Sequence, residues 1–278
     1  MKFMIQAWRI TQTQNIKLEL DASSLDEFTR QLPDPSGYYS TFRTFDGRTR
    51  VLGLTAHLRR LYEPVPSPEV SEAFLRRQLL ALLEAYRPDE ARVRLIMTKH
   101  GQVYIAIEPR RPLPREIYET GVGVETTEIR RETPRLKSTS FITASDSERK
   151  HIAQEGIFEA LLVKNGNILE GMTSNFFYVK ENILYTAQYD ILLGITRKTV
   201  IGVARGRGVE VKFAPLKLDQ LATVDEAFIT SSSRGIVPVV NIDKFTVGEG
   251  SPGQITKELS AAYDQYVMDH AERILPMK

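Results

Sequence analysis

The feature that most constrains this chain is the run "FEALLVKNGNILEG", residues 158–171. Asn165-Gly166 separates two β-rich stretches, and this dipeptide readily takes the left-handed backbone that a two-residue hairpin turn demands. The hairpin sets Glu170 at the end of the returning strand, beside Gly171 and ahead of the apolar run "NFFYV". A carboxylate there is either solvated and idle or turned inward toward a cation.

The same pattern recurs along the chain. "GYYSTFRTFDGRTRVLGL" reads as two β-rich runs around Asp46-Gly47, and "ARVRLIMT" with "QVYIAIEP" as a second hairpin. "NFFYVKENILYTA" is another, and "VDEAFITSSSRGIVPVV" is strand, Ser-rich turn, strand. Helices fall between them. "TAHLRRLYEPV" is a short one halted by Pro64. "SPEVSEAFLRRQLLALLEAYRPDE" begins with Ser67 as cap and Pro68 at its first position. Val70, Phe74, Leu79, Leu82, Leu83 and Tyr86 recur in it near helical spacing, and Pro88 ends it. "ASDSERKHIAQEG" is capped near Ser145, "GITRKTVIGVARGRG" holds Thr196 in its first turn, and "SPGQITKELSAAYDQYVMDHAERI" is amphipathic. The proline-rich "EPRRPLPRE", 108–116, reads as a linker. It divides a small α+β domain, 1–112, from a larger domain, 113–278. The fold class expected is α/β (α+β).

Composition narrows the chemistry. The net charge of +2, from 37 basic and 35 acidic side chains, is too small and too dispersed for a nucleic-acid surface. With no cysteine, thiolate nucleophiles, disulfides and Cys-based metal sites are excluded. His57, His100, His151 and His270 show no metal-ligand spacing, so no metal is expected. The N-terminal apolar stretch is too short for a signal peptide, and no run is long enough to span a membrane, which makes the cytoplasm the expected location. GxSxG and GxxxxGK[ST] are absent, and Gly202, Gly206 and Gly208 fall late in a helix, where no dinucleotide loop sits. Two features suit phosphate. The start of "GITRKTVIG" offers backbone N–H groups and a helix dipole, and "SSSRG" offers hydroxyls and an anion-binding turn. Each alone reads equally as an ordinary cap and a solvated loop, and Arg60 in "HLRRL" as a solvated helix face.

Taken in order, "GYYSTFRTFDG", "HLRRL", "RLKSTSF", "EALLVKNGNILEGMTSNFFYV", "LLGITR", "DEAFITSSSRGIVPV" and "SPGQITKEL" resemble the class IV, fold type IV, pyridoxal-phosphate enzymes. That family includes branched-chain aminotransferases, D-amino acid aminotransferases and aminodeoxychorismate lyases. The resemblance implies a two-domain enzyme, with a small α+β domain and a larger barrel-like domain carrying Lys137. It implies pyridoxal 5'-phosphate as cofactor, an amino acid and a 2-oxo acid as substrates, and a homodimer. Lys137 matches the lysine that bonds covalently to the cofactor, and Arg130, Arg131 and Arg135 are cations that would favour its neutral amine. Glu170 matches the carboxylate facing the pyridine nitrogen. Arg60, Ile195, Thr196 and Ser232 match the phosphate site, and Ser174 and Asn175 line the cofactor.

On the substrate side the resemblance points to Tyr39, Thr41, Arg94 and Ser233. Thr41 resembles a threonine of the lyases, and Arg94 an arginine behind the carboxylate pocket of branched-chain enzymes. Arg92 stands where a tyrosine is usual, and Ser140 where lyases and D-amino acid enzymes often carry asparagine. "TKHGQVY" is too short for the Arg-x-His arrangement of the D-amino acid enzymes. The implied activity is transamination, first of branched-chain L-amino acids. Alternatives are lyase elimination of pyruvate, D-amino acid transamination, and a non-catalytic cofactor-binding protein.

Overall fold

The computed structural model describes residues 5–275 and divides into two compact units. The first comprises the stretch ending at Arg111, the segment Leu136–Ala144, and the stretch from His270 onward. It opens with β1 (Gln6–Ile10), β2 (Asn15–Leu18), α1 (Leu25–Arg30), β3 (Gly37–Arg43) and β4 (Arg50–Val51). After these come α2 (Leu54–Tyr62), α3 (Glu72–Ala85), β5 (Ala91–Thr98) and β6 (Val103–Pro109). Five strands form an antiparallel sheet in the order β2-β1-β6-β5-β3. Leu54, Leu58 and Leu61 of α2 join Leu75, Leu79 and Leu83 of α3 in a core against Val93, Leu95, Ile105 and Ile107 of the sheet. The helical spacing of one set and the alternation of the other converge on one apolar layer.

Two local expectations are corrected here. The α3 helix begins at Glu72, and Ser71 caps it by accepting from Phe74 N, while Ser67 does not serve. Glu69 N donates instead to Gly101 O at 2.9 Å, so that stretch cannot enter the helix ladder. The run after Asp46-Gly47 yields only the two-residue β4, which pairs with a C-terminal strand. The extended partner of β3 is β5, because Gly53, at φ 66°, turns the chain into α2.

The second unit opens with α4 (Arg115–Thr120) and β7 (Val122–Thr127). The chain then returns to the first unit with α5 (Ser140–Ala144), whose segment carries Lys137. This differs from the expected boundary, which put Lys137 in the larger domain. The reason is local pairing. Tyr39 N donates to Lys137 O and Thr139 N to Gly37 O, both at 2.9 Å, and Tyr38 bridges Ser138. The segment is thereby held on the edge of β3.

From α6 (Asp146–Glu155) the second unit continues through β8 (Glu159–Lys164), β9 (Asn167–Gly171), β10 (Asn175–Lys180) and β11 (Ile183–Thr186). Next are α7 (Ile195–Gly206), β12 (Val211–Phe213), β13 (Leu216–Lys217), β14 (Glu226–Ser231), β15 (Gly235–Ile242) and β16 (Phe245–Thr246). Helix α8 (Gln254–His270) follows, and β17 (Glu272–Arg273) pairs with β4 in the first unit. The pairings β10-β14-β15-β7-β8-β9 run in sequence, and β9 pairs again with β10. Six strands therefore close on themselves as a barrel-like mixed sheet, with β15-β7 and β7-β8 parallel. Val122, Val124, Leu161, Val163, Phe176, Tyr178, Ala227, Ile229, Val237 and Val239 share one core, which is strand alternation from five strands at once. The turns between β8 and β9 (Asn165, Gly166) and between β10 and β11 (Glu181, Asn182) carry the positive φ a two-residue hairpin needs.

Candidate functional site

In the first unit, Lys137 is held by its own carbonyl on β3, and its Nζ lies 4.8 Å from the centre of the Tyr39 ring. The same ring receives the Arg94 guanidinium at 4.7 Å. Arg94 is buried, and its Nε and Nη1 are held by neighbouring groups of the first unit. Its Nε donates to Thr41 Oγ1 at 3.0 Å, and its Nη1 to Leu25 O at 2.7 Å and Thr29 Oγ1 at 2.9 Å. Asp26 Oδ1, 2.7 Å from Nη1, balances the charge. Arg94 and Thr41 thus tie β5 and β3 to α1 and set the wall behind Tyr39.

Arg60 lies half-buried on α2, one turn beyond His57. His57 is buried, with Nδ1 2.7 Å from Ser40 Oγ, and Nε2 has no hydrogen-bond partner. Burial, and then the positive charges of Arg60 and Lys137, hold its pKa well below the usual histidine range. His57 is therefore neutral at physiological pH. Arg92 pairs across strands with Glu108 at 2.6 Å. Ser140 Oγ meets Ser138 Oγ at 2.8 Å.

In the second unit, Glu170 is 2% exposed, so it is not a solvated strand end. Oε1 accepts from Arg131 Nε at 3.1 Å, and Oε2 from Leu192 N at 3.0 Å and Asn175 Nδ2 at 3.2 Å. Arg131 also donates to Met172 O at 3.1 Å. A buried ion pair with further donors on the carboxylate is an arrangement that keeps it ionised. Nothing in the sequence signals this partnership, which spans 39 residues. Arg131, one of the cations near Lys137 in sequence, pairs with Glu170.

Leu192 leads directly to α7. Asn175 donates to Leu192 O at 2.7 Å, and a Cβ on Gly194 would strike Asn175 Oδ1 at 2.1 Å, so only glycine fits. Gly194 caps α7 without a side-chain bond, and Ile195 and Thr196 begin the helix. Thr196 Oγ1 lies 3.4 Å from Ser232 Oγ in the turn between β14 and β15, where Ser233 is half-buried. Ser174 Oγ is buried without a hydrogen-bond partner. Arg197 donates to Ala187 O at 2.7 Å, and burial, followed by the like charge of Arg135, lowers its guanidinium to about 10.

A surface cleft of about 260 Å³ in this unit, lined by Lys164, Asn167, Gln188, Tyr189, Asp190 and Phe213, contains none of the candidate residues. Among the described residues no His, Asp and Glu side chains group as a metal site, and no helix is long and apolar enough to cross a membrane.

Comparison with known proteins gives these arrangements a context. A family model described as amino-transferase class IV matches residues 37–242. A putative branched-chain-amino-acid aminotransferase of Methanocaldococcus jannaschii is 30% identical, over 89% of this chain and 95% of that protein. The D-alanine aminotransferase of Bacillus licheniformis is 27% identical, over 85% of this chain and 89% of that protein. Among solved structures, a putative branched-chain amino acid aminotransferase from Thermotoga maritima superposes with a TM-score of 0.79 at 28% identity, covering 95% of this chain and 96% of that one.

Proposed function

We propose, from the premise that this chain belongs to the class IV aminotransferase family, that it uses pyridoxal 5'-phosphate to move an amino group from an amino acid to a 2-oxo acid. The observation that carries this reading is the junction at Leu192. Its N–H holds the buried Glu170 carboxylate, and two residues later Gly194 caps α7, where the Thr196 and Ser232 hydroxyls meet. A fixed anion and an anion cradle, joined by three residues of chain, suit a ligand with a cationic ring nitrogen at one end and a phosphate at the other. The unpartnered Ser174 Oγ is a further buried donor in the turn between Glu170 and Asn175.

The bound cofactor would supply an electron sink for bond breaking at the substrate Cα. Lys137 would hold the cofactor covalently through Nζ until a substrate amine displaces it, and the freed Nζ amine would then take the Cα proton as general base. Glu170 would keep a proton on the ring nitrogen. Arg60, the backbone N–H groups of Ile195 and Thr196, and the Thr196 and Ser232 hydroxyls would bind the phosphate, while Ser174 and Asn175 line the cofactor. Tyr39 would border the substrate carboxylate, supported by Arg94 and Thr41, with Ser233 completing the pocket.

Branched-chain L-amino acids are the first substrates in this reading, supported by the archaeal relative. Elimination of pyruvate is the alternative and would call on Thr41, whose Oγ1 accepts from Arg94. A cytoplasmic homodimer completes the reading, and the absence of cysteine suits a reducing compartment. The test is a panel of amino donors (L-valine, L-leucine, L-glutamate, D-alanine) given to protein loaded with pyridoxal 5'-phosphate, with 2-oxo acid product measured. Transfer from L-valine or L-leucine is expected; no transfer from any donor overturns the reading.

A further inference from the structure

Glu159, at the start of β8, is 2% exposed, and none of the roles above uses it. Its Oε2 accepts from Arg234 Nη2 at 2.8 Å and from Thr173 Oγ1 at 2.7 Å, and its Oε1 accepts from Thr173 N at 3.3 Å. Arg234 Nη2 also donates to Thr173 Oγ1 at 2.7 Å, and Nε to Ser231 Oγ at 3.2 Å. The Arg234 carbonyl is itself held by Tyr118 OH at 2.8 Å.

These bonds join two turns. Thr173 lies between Gly171 and Ser174 in the turn that connects β9 to β10. Arg234 closes the turn that carries Ser232 and Ser233. The two turns lie 61 residues apart in sequence and meet through one carboxylate. A buried carboxylate is tolerated only when its charge and lone pairs are answered, so loss of either turn's contact leaves Glu159 unsatisfied. Packing leaves little slack, since a Cβ on Gly171 would lie 3.1 Å from Glu159 Cγ and 2.2 Å from Ser174 Oγ. Arg234 is the cation beside the Ser-rich turn, and its Nε and Nη2 are both committed inside the protein.

Resting on the function proposed above, we propose that Glu159 and Arg234 are positioning residues. Their ion pair sets the Ser232 hydroxyl against Thr196 and the start of α7, so that phosphate affinity depends on a charge pair that does not touch phosphate.

The test compares dissociation constants for pyridoxal 5'-phosphate and for pyridoxal, which lacks the phosphate, across wild type, Glu159→Gln and Arg234→Lys. Each variant should bind pyridoxal 5'-phosphate at least about tenfold more weakly, the loss of one charge-assisted bond's worth of positioning. Pyridoxal affinity should stay near wild type in both. If Glu159→Gln fails to fold, Arg234→Lys, which keeps the charge but loses the planar fork, carries the test. Wild-type affinity for both ligands, or equal loss for both, overturns the proposal. If wild type itself does not prefer pyridoxal 5'-phosphate over pyridoxal, the function proposed above fails instead.

Discussion

Asn175 faces Glu170 across the pairing that closes the six-stranded barrel, and its amide donates to the Glu170 carboxylate at 3.2 Å. The residue pair that completes the sheet thus also fixes the candidate ring-nitrogen partner. Asn175→Ala would remove this bond and the one to Leu192 O at 2.7 Å. A buried polar group left unsatisfied costs roughly 1–3 kcal/mol. The urea midpoint should fall accordingly, and an unchanged midpoint would show that the amide is not the tie.

Glu170→Gln fits the same space but removes the charge that balances Arg131, so the variant should fold with a lowered urea midpoint and still take up cofactor through the phosphate site. It cannot supply the anion that keeps the ring nitrogen protonated. Two pKa units on that nitrogen correspond to about 2.7 kcal/mol, and even part of this in the barrier slows the step by tens of fold. Single-turnover amino transfer should drop by that factor; a wild-type rate with cofactor bound contradicts the assignment.

Borohydride treatment of the loaded enzyme should attach the cofactor to the peptide that contains Lys137. Lys137→Ala should lower transfer by about 10²–10⁴-fold, the usual range for a general base. Label on a different lysine would remove Lys137 from the reaction.

His57 predicts acid sensitivity. Its folded pKa lies below the unfolded value of 6.5, so below about pH 6.5 the unfolded chain binds more protons than the folded one. Stability should be full above that pH and should decline as pH falls, by up to about 1.4 kcal/mol per pH unit. His57→Asn keeps a partner for Ser40 but does not titrate, so its urea midpoint should change less between pH 7 and pH 5, values chosen to bracket the transition. Parallel curves for the two proteins would exclude His57 as the source.

What was legible in the sequence was local. Asn165-Gly166 encodes its hairpin in backbone preference, and α2 and α7 appear at the runs "TAHLRRLYEPV" and "GITRKTVIGVARGRG" read as helices. The start of α3 was not legible, because Glu69 is drawn off by Gly101, 32 residues along the chain. Glu170 could be singled out by resemblance, but Arg131 as its counterion could not, since the pair joins the loop after β7 to β9, 39 residues along the chain. The same holds for Thr196 and Ser232, ordinary hydroxyls until α7 and the β14–β15 turn bring them together. Resemblance marks Arg94 as lying behind the substrate pocket, while its counterion Asp26 on α1 was not legible.

The first unit is assembled from three separate stretches of chain, and this bears on how it is made during synthesis. When residues up to Arg111 leave the ribosome, the β3 edge lacks the Lys137 segment, and α2 lacks Glu272, whose carboxylate later accepts from Thr55 Oγ1 at 2.6 Å. Arg50 likewise waits for the carbonyl of Ala271. All of the second unit's residues are translated before those last partners emerge. The first unit is therefore begun before the second and finished after it, so a nascent chain stalled before residue 270 would hold a first unit still missing β17, the partner of β4.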